Sequence, residues 1–148
     1  VEANRNLWFH TGDRGYLDAD GYLWFVDRKK ESIRRRGENI SAYEVEMLIA
    51  KHPDVLEVAA VAVASDISED DVMVYVVRKA GATVTEPALI EFCAANMSYF
   101  MVPRYVAFID ALPKTASEKI EKYKLKQMAS ADLARLWDRE KAGITLAR

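Results

Sequence analysis

Two long apolar runs in the middle of the chain predict a pair of strands. Residues 55–64 and 72–78 are rich in Val and Ala, and the acidic, polar residues 65–71 separate them. Continuous apolar runs of this length, with many β-branched residues, are typical of strands that are buried or half-buried. A shorter run at residues 105–109 predicts a further strand.

Other segments have the spacing of apolar residues that is typical of helices. Ser41, with Glu44 three residues later, forms a Ser-x-x-Glu capping box ahead of apolar positions at helical spacing. This pattern predicts a helix that begins there and ends near residues 52–53. Thr85 begins a second predicted helix, with Pro87 in its first turn.

Helices are also predicted toward the C-terminus. Residues 120–128 favour a helix, and Ser130 is predicted to cap a last one that turns Leu133, Leu136 and Trp137 inward. Strands and helices therefore mix without strict alternation. The predicted fold class is α+β, with a small mixed β-sheet covered by helices.

An aromatic hairpin is predicted ahead of this sheet. A hairpin is predicted over residues 15–26, because residues 16–17 and 22–26 are β-prone and flank the turn-forming residues 18–21. Its aromatic content predicts that one face is buried. A charged, basic run follows the hairpin, which places a predicted boundary at residues 27–30.

Composition restricts the class of protein. The chain has 148 residues, 51% of them hydrophobic and 30% charged, which fits one globular domain. A net charge of −2 argues against a dedicated nucleic-acid-binding protein. Cys93 is the only cysteine, so no internal disulfide can form and a cytoplasmic location is expected. The longest apolar run, residues 58–64, is far shorter than the ~20 residues of a membrane span. The sequence starts without Met, which fits a piece of a longer protein.

Three short motifs carry candidate chemistry. Residues 9–13 read Phe-His-Thr-Gly-Asp, residues 34–37 read Arg-Arg-Arg-Gly, and residues 113–119 read Pro-Lys-Thr-Ala-Ser-Glu-Lys. In this order they resemble the C-terminal part of the adenylate-forming enzymes: acyl-CoA synthetases, luciferases and peptide-synthetase adenylation domains. The sequence of residues 34–41, Arg-Arg-Arg-Gly-Glu-Asn-Ile-Ser, is most similar to that of crotonobetaine/carnitine-CoA ligases.

The resemblance implies a division of the chain and an activity. Residues 1–27 would be the terminal hairpin of a larger N-terminal domain, residues 28–128 the mobile C-terminal domain, and residues 129–148 an amphipathic helix or tail. The longer enzyme would use ATP and CoA to convert a small carboxylic acid into its acyl-CoA by way of an acyl-adenylate. Mg²⁺ is expected to be bound by the N-terminal domain, so the chain alone is expected to be inactive.

The resemblance assigns nucleotide contacts and a hinge. Asp13 would accept hydrogen bonds from the ribose hydroxyls, and Arg28 would reach the ribose or phosphate with its planar fork. Lys30 would be the hinge residue, which needs only backbone freedom. Without the resemblance, Asp13 would be read as part of a turn and Arg28 as part of a solvated charge run.

Residues 28–36 hold six basic residues and one acid. If the strand is extended, Arg34 and Arg36 share one face while Arg35 lies on the other. The resemblance implies that Arg34, Arg35, Arg36 and Gly37 line the CoA tunnel, with Gly37 allowing backbone to lie against a narrow ligand. A surface charge cluster without a ligand is the alternative.

Lys119 is the candidate catalytic residue. The resemblance implies that its ammonium inserts between the substrate carboxylate and the α-phosphate and offsets both charges in the transition state. Pro113 would stiffen the loop, and Thr115 would cap it. Glu118 departs from the glycine usual in the related enzymes: its carboxylate could compete for Lys119, and its Cβ restricts the backbone.

Two other functions remain open on the residues alone. One is an adenylation domain that feeds a carrier protein, although no carrier-like Ser motif follows Met128. The other is a binding module that docks an acidic partner on its basic patch. A metal site is not expected, because His10 and His52 have no ligands at metal spacing. Neither nucleic acid nor a membrane is an expected partner.

Overall fold

The computed structural model describes residues 4–5, 8–9, 11–65 and 69–146, and the side chains of this part from residue 11 on, except those of residues 27 and 30. His10 lies outside the described residues. In chain order the elements are β1 Asn4–Arg5, β2 Trp8–Phe9, β3 Asp13–Leu17, β4 Leu23–Arg28, a 3-10 turn Lys29–Glu31, β5 Ser32–Arg35, β6 Glu38–Ser41, α1 Ala42–Ile49, β7 Val55–Ala64, β8 Asp70–Arg78, α2 Glu86–Asn96, β9 Tyr105–Phe108, α3 Lys122–Asp132, a 3-10 turn Leu133–Arg135, and β10 Trp137–Asp138.

A four-stranded mixed sheet organises the fold. Its strands lie in the order β10, β9, β8, β7, and only β8 and β9 run parallel. The parallel pair is joined by a crossover that contains α2, as a parallel connection requires. The predicted class, α+β with a small mixed sheet covered by helices, is confirmed. The strands predicted at residues 55–64, 72–78 and 105–109 are confirmed as well.

Both faces of the sheet are buried. On β8, Val72, Val74 and Val76 belong to the hydrophobic cluster that includes residues of α1 and α2. The alternate residues Met73 and Tyr75 belong to a second cluster that includes residues of α3. Since successive side chains of a strand point to opposite faces, a strand covered on both sides is apolar throughout. This explains the continuous apolar runs of the sequence.

The first two helices begin as the sequence predicts. Ser41 Oγ accepts a hydrogen bond from the backbone N–H of Glu44 at 3.3 Å, which caps α1. Thr85 precedes α2, and Pro87 lies in its first turn. Cys93 of α2 is fully buried, and burial raises the pKa of its thiol to about 12, so it is a core residue rather than a nucleophile.

The predicted last helix is wrong. Helix α3 continues through Ser130, whose hydroxyl donates to the carbonyl of Lys126 at 2.9 Å instead of capping a new helix. Residues 133–135 form a 3-10 turn, and Trp137 enters a short strand opposite Val106 of β9. Pairing with the sheet edge thus outweighs the helical spacing of the apolar residues.

The predicted aromatic hairpin forms. The prediction that one of its faces is buried is wrong, because the described residues leave both faces exposed. β3 and β4 pair antiparallel with a bulge after Arg14. Gly15 permits this close pairing, since a Cβ there would lie 2.5 Å from the carbonyl oxygen of Trp24. The large apolar side chains are more than half exposed, namely Tyr16, Leu17, Tyr22, Leu23, Trp24 and Phe25.

Candidate functional site

Asp13 and Arg28, the two candidate nucleotide contacts, are paired across the open end of the β3–β4 hairpin. They are register partners, and Arg28 Nε lies 3.3 Å from Asp13 Oδ1. Gly12 has a φ of 80°, and Thr11 Oγ1 accepts from the N–H of Asp13 at 3.1 Å. The Thr-Gly-Asp segment is therefore a turn that presents a solvent-accessible carboxylate with a guanidinium beside it.

Lys30 lies between this hairpin and the rest of the fold. Its backbone is in the 3-10 turn Lys29–Glu31, and its side chain is outside the described part of the chain. The N–H of Lys29 donates to the carbonyl of Gly12 at 2.9 Å. The predicted hinge is thus a single short turn directly after the candidate nucleotide contacts.

The Arg-Arg-Arg-Gly motif forms the tip of the β5–β6 hairpin. Arg36 and Gly37 have φ values of 52° and 84°, the two positive angles that a two-residue hairpin turn needs. Arg34 and Arg36 are exposed, whereas Arg35 is buried. The predicted alternation along this strand is confirmed.

Arg35 is held inside the protein. Its Nε lies 3.0 Å from Asp71 Oδ1, and its Nη1 donates to the carbonyls of Phe100 and Val102 at 3.1 and 3.0 Å. Asp71 also pairs with Arg104 at 2.9 Å. Arg35 is thus buried, unlike Arg34 and Arg36 of the same motif. Its contact with Asp71 joins β5 to β8.

We expect Asp71→Asn to destabilise the chain strongly. The substitution removes the negative charge between two arginines, and breaking a buried ion pair from one side typically costs ~3–5 kcal/mol. Urea unfolding measures the loss. Glu69→Gln is the matched control, because Glu69 pairs with Arg34 in an exposed bridge that is worth at most ~1 kcal/mol. Equal effects of the two substitutions would contradict the structural role of Asp71 and Arg35.

The loop that carries Lys119 is closed by its own backbone. The N–H of Thr115 donates to the carbonyl of Lys119 at 2.9 Å, and the N–H of Glu121 donates to the carbonyl of Pro113 at 2.8 Å. Thr115 Oγ1 accepts from the N–H of Lys119 at 3.2 Å, which is the capping role predicted for this threonine. The loop is therefore ordered, and its ends are held together.

The ammonium of Lys119 is available for a ligand. The nearby lysines 114, 122 and 124 all have carboxylate partners. Lys114 pairs with Glu57 and Glu118, Lys122 pairs with Glu31 and Glu46, and Lys124 pairs with Glu121. Within the described residues no carboxylate lies at ion-pair distance from Lys119, which is exposed. An unpaired, exposed ammonium on an ordered loop suits the recognition of an anion.

Glu118 has the backbone conformation of a glycine. Its φ is 61°, in the left-handed region that favours residues without a Cβ. The strain expected for Glu118 is therefore present. Its carboxylate lies 3.5 Å from Lys114 and thus does not compete for Lys119.

We expect Glu118→Gly to stabilise the chain by about 1 kcal/mol, because glycine removes the left-handed penalty of an L-residue. The lost ion pair with Lys114 is exposed and contributes little. Thermal or urea unfolding measures the gain. Glu118→Ala serves as the control, since it loses the same ion pair and keeps the strain. Stabilisation by both substitutions would show that the gain in stability comes from removal of the Glu118 charge and not from relief of backbone strain.

The described residues contain no group of three His, Cys, Asp or Glu side chains placed to hold a metal ion. No helix in the described ranges is long and apolar enough to cross a membrane.

Two ion clusters were missed by sequence reasoning. In one, Asp71 and Asp138 flank Arg104, which lies 2.9 Å from the first and 3.1 Å from the second. In the other, Lys122 contacts Glu31 and Glu46. The members of each cluster are separated by tens of residues, so no local spacing reveals them.

The profile of the AMP-binding enzyme C-terminal domain matches residues 44–119 of this chain, and the chain belongs to that family. It is 41% identical to a crotonobetaine/carnitine-CoA ligase of Salmonella arizonae over 82% of its own length and 23% of the ligase. It is 46% identical to an oxalate-CoA ligase of Arabidopsis thaliana over 78% of its length and 22% of that enzyme.

A solved structure has the same fold. The o-succinylbenzoate CoA synthetase of Bacillus subtilis, in complex with its acyl-adenylate intermediate, superposes with a TM-score of 0.77 at 31% identity. The match covers 84% of this chain and 25% of the synthetase. The chain thus spans about a quarter of the length of the CoA ligases that it matches.

Proposed function

We propose that this chain is the C-terminal part of an ATP-dependent acyl-CoA ligase. The longer enzyme would convert a carboxylate, ATP and CoA into acyl-CoA, AMP and pyrophosphate by way of an acyl-adenylate. The observation that carries the proposal is the ammonium of Lys119, which has no carboxylate partner among the described residues, whereas the nearby lysines 114, 122 and 124 are each paired with one. The CoA ligases among the relatives favour CoA over a carrier protein as the acyl acceptor.

In the first half-reaction, Lys119 would lie between the carboxylate and the α-phosphate. The carboxylate oxygen attacks the α-phosphorus, and pyrophosphate leaves with the bonding electron pair. Two anions approach each other in this step, so a fixed positive charge lowers the barrier more than it stabilises the separate reactants. Asp13 would hold the ribose hydroxyls, with Arg28 beside it to orient its carboxylate or to meet a phosphate.

In the second half-reaction, the domain would turn about Lys30 and exchange the Lys119 loop for the tip of the β5–β6 hairpin. The CoA thiol, having released its proton to solvent, attacks the acyl carbonyl as the thiolate, and AMP leaves with the bonding electron pair. Arg34 and Arg36 are exposed at this tip and could meet the phosphates of CoA, while Gly37 would let backbone lie along the pantetheine arm. Arg35 would support the hairpin from inside.

The missing part of the site is proposed to lie in an N-terminal domain. The exposed aromatic residues of the β3–β4 hairpin form an apolar surface of the kind that a protein normally covers. That domain would supply the acyl pocket and the Mg²⁺ ligands. A cytoplasmic location, where ATP and CoA occur together, is part of this proposal. The relatives act on different acids, so the acyl substrate is not assigned.

We expect the 148-residue chain to fold and yet to catalyse nothing, because the acyl pocket lies in the proposed N-terminal domain. An ATP–pyrophosphate exchange assay with a panel of short carboxylic acids tests this, and circular dichroism confirms that the chain is folded. The longer enzyme is the positive control. Exchange by the isolated chain would refute the proposal that it is a part of the site.

A further inference from the structure

Lys122, Glu31 and Glu46 bring three segments of the chain together at one partly buried point. Lys122 Nζ lies 2.9 Å from Glu31 Oε2 and 2.9 Å from Glu46 Oε1. The side chains of Lys122 and Glu46 are only 17% and 16% exposed. Ion pairs that are largely out of water are screened less by salt than surface pairs. One ammonium therefore joins the start of α3 to α1 and to the 3-10 turn Lys29–Glu31.

Burial and the opposite charge act against each other on the pKa values of Glu46 and Lys122. Burial raises the pKa of Glu46, and the positive charge of Lys122 opposes that rise. Burial pulls the pKa of Lys122 down, but the two carboxylates outweigh it and leave that pKa raised. Glu46 Oε1 also accepts from the N–H of Ala60 at 2.7 Å, so the cluster is tied to the edge strand β7.

The cluster lies between the two parts of the proposed machinery. Lys122 is the first residue of α3 and directly follows the loop that Glu121 and Pro113 close by a backbone hydrogen bond. Glu31 directly follows the proposed hinge residue Lys30. Their contact thus bridges 91 residues of sequence and joins the base of the catalytic loop to the turn next to the hinge.

We propose that Lys122 is a positioning residue that makes the hinge-side turn and the Lys119 loop one rigid unit. When the domain turns about Lys30, the contact with Glu31 keeps the loop in a fixed position relative to the turn Lys29–Glu31. This contact therefore determines the position of Lys119 after the rotation. Lys122 itself touches no substrate. This inference rests on the proposed function for its kinetic consequence, but not for its structural one.

Glu31→Gln in the longer enzyme tests the proposal. The amide keeps the shape of the side chain and removes the charge that Lys122 binds, while the Lys122–Glu46 pair and the fold remain. We expect kcat for adenylation to fall about tenfold with KM for ATP changed less than about twofold, since small misplacements of a catalytic group are costly. Thioester formation from supplied acyl-adenylate should be unchanged. Lys124→Met is the matched control, because the contacts of Lys124 with Glu121 and the ring of Tyr123 are local, and it should alter neither half-reaction.

Hydrogen exchange gives a second, activity-independent measurement. In Glu31→Gln the amides of Thr115 and Glu121 should exchange about tenfold faster, because the base of the loop opens more often. If the unmodified enzyme makes no adenylate from any acid, the proposed function fails, and the exchange rates still decide the positioning role. Unchanged loop exchange, or equal loss in both half-reactions, would overturn the proposal.

Discussion

Lys119→Ala in the longer enzyme should slow acyl-adenylate formation by at least ~10²-fold, the scale seen when one preorganised contact to a transition state is removed. The lysine is exposed and lacks a carboxylate partner among the described residues, so its loss should leave the fold intact. Thioester formation from supplied acyl-adenylate should survive, because in the proposed mechanism the domain would have turned and Lys119 would have left the site by then. Separate rate measurements of the two half-reactions give the comparison.

Lys124→Ala is the control for this substitution. Lys124 is another exposed lysine close to the loop, and among the described residues its ammonium contacts Glu121 and the ring of Tyr123. Its removal should change both half-reactions by less than about twofold, as expected for an exposed ion pair worth under ~1 kcal/mol. If Lys119→Ala spares adenylation, or depresses both half-reactions together, the catalytic assignment of Lys119 is wrong.

Lys30→Pro should leave adenylation nearly intact and abolish thioester formation. Proline fixes φ near −65°, a value within the range of 3-10 helices, so the turn that the structure shows remains accessible. The proposed rotation between the two half-reactions would require other values of φ at residue 30, which the ring forbids. Rapid-quench measurement of adenylate and of acyl-CoA in one experiment separates the two steps.

Lys30→Ala distinguishes the backbone of the hinge from its side chain. Alanine retains the freedom of φ and ψ, so acyl-CoA should still form in this variant. A loss of thioester formation with alanine equal to that with proline would assign the effect to the lysine side chain. Equal loss of both half-reactions with proline would mean that residue 30 is not the hinge.

The strands and the first two helices could be predicted because their signals are local. Ser41 and Glu44 are three residues apart, and the strands β7 and β8 are apolar throughout because both faces are covered. The last helix could not be predicted. The fate of Trp137 depends on the free edge of β9, which residue spacing alone does not indicate.

The candidate site divides in the same way. Alternation along β5 correctly placed Arg34 and Arg35 on opposite faces, but it did not indicate which face is buried, since Asp71, the buried partner of Arg35, lies 36 residues away. The backbone strain at Glu118 could be predicted because this residue has a Cβ, whereas the ion pair of Glu118 with Lys114 could not. Properties of the backbone were therefore accessible from the sequence, and the choice of ionic partners required the fold.

A structure of the longer enzyme with bound ATP and an unreactive carboxylate analogue tests the central claim most directly. We expect the Asp13 carboxylate to accept hydrogen bonds from both ribose hydroxyls and Lys119 Nζ to lie within hydrogen-bond distance of the α-phosphate and the analogue. Domain orientation should place the β5–β6 hairpin tip away from the nucleotide. A nucleotide that contacts neither Asp13 nor Lys119 in this complex would contradict the account.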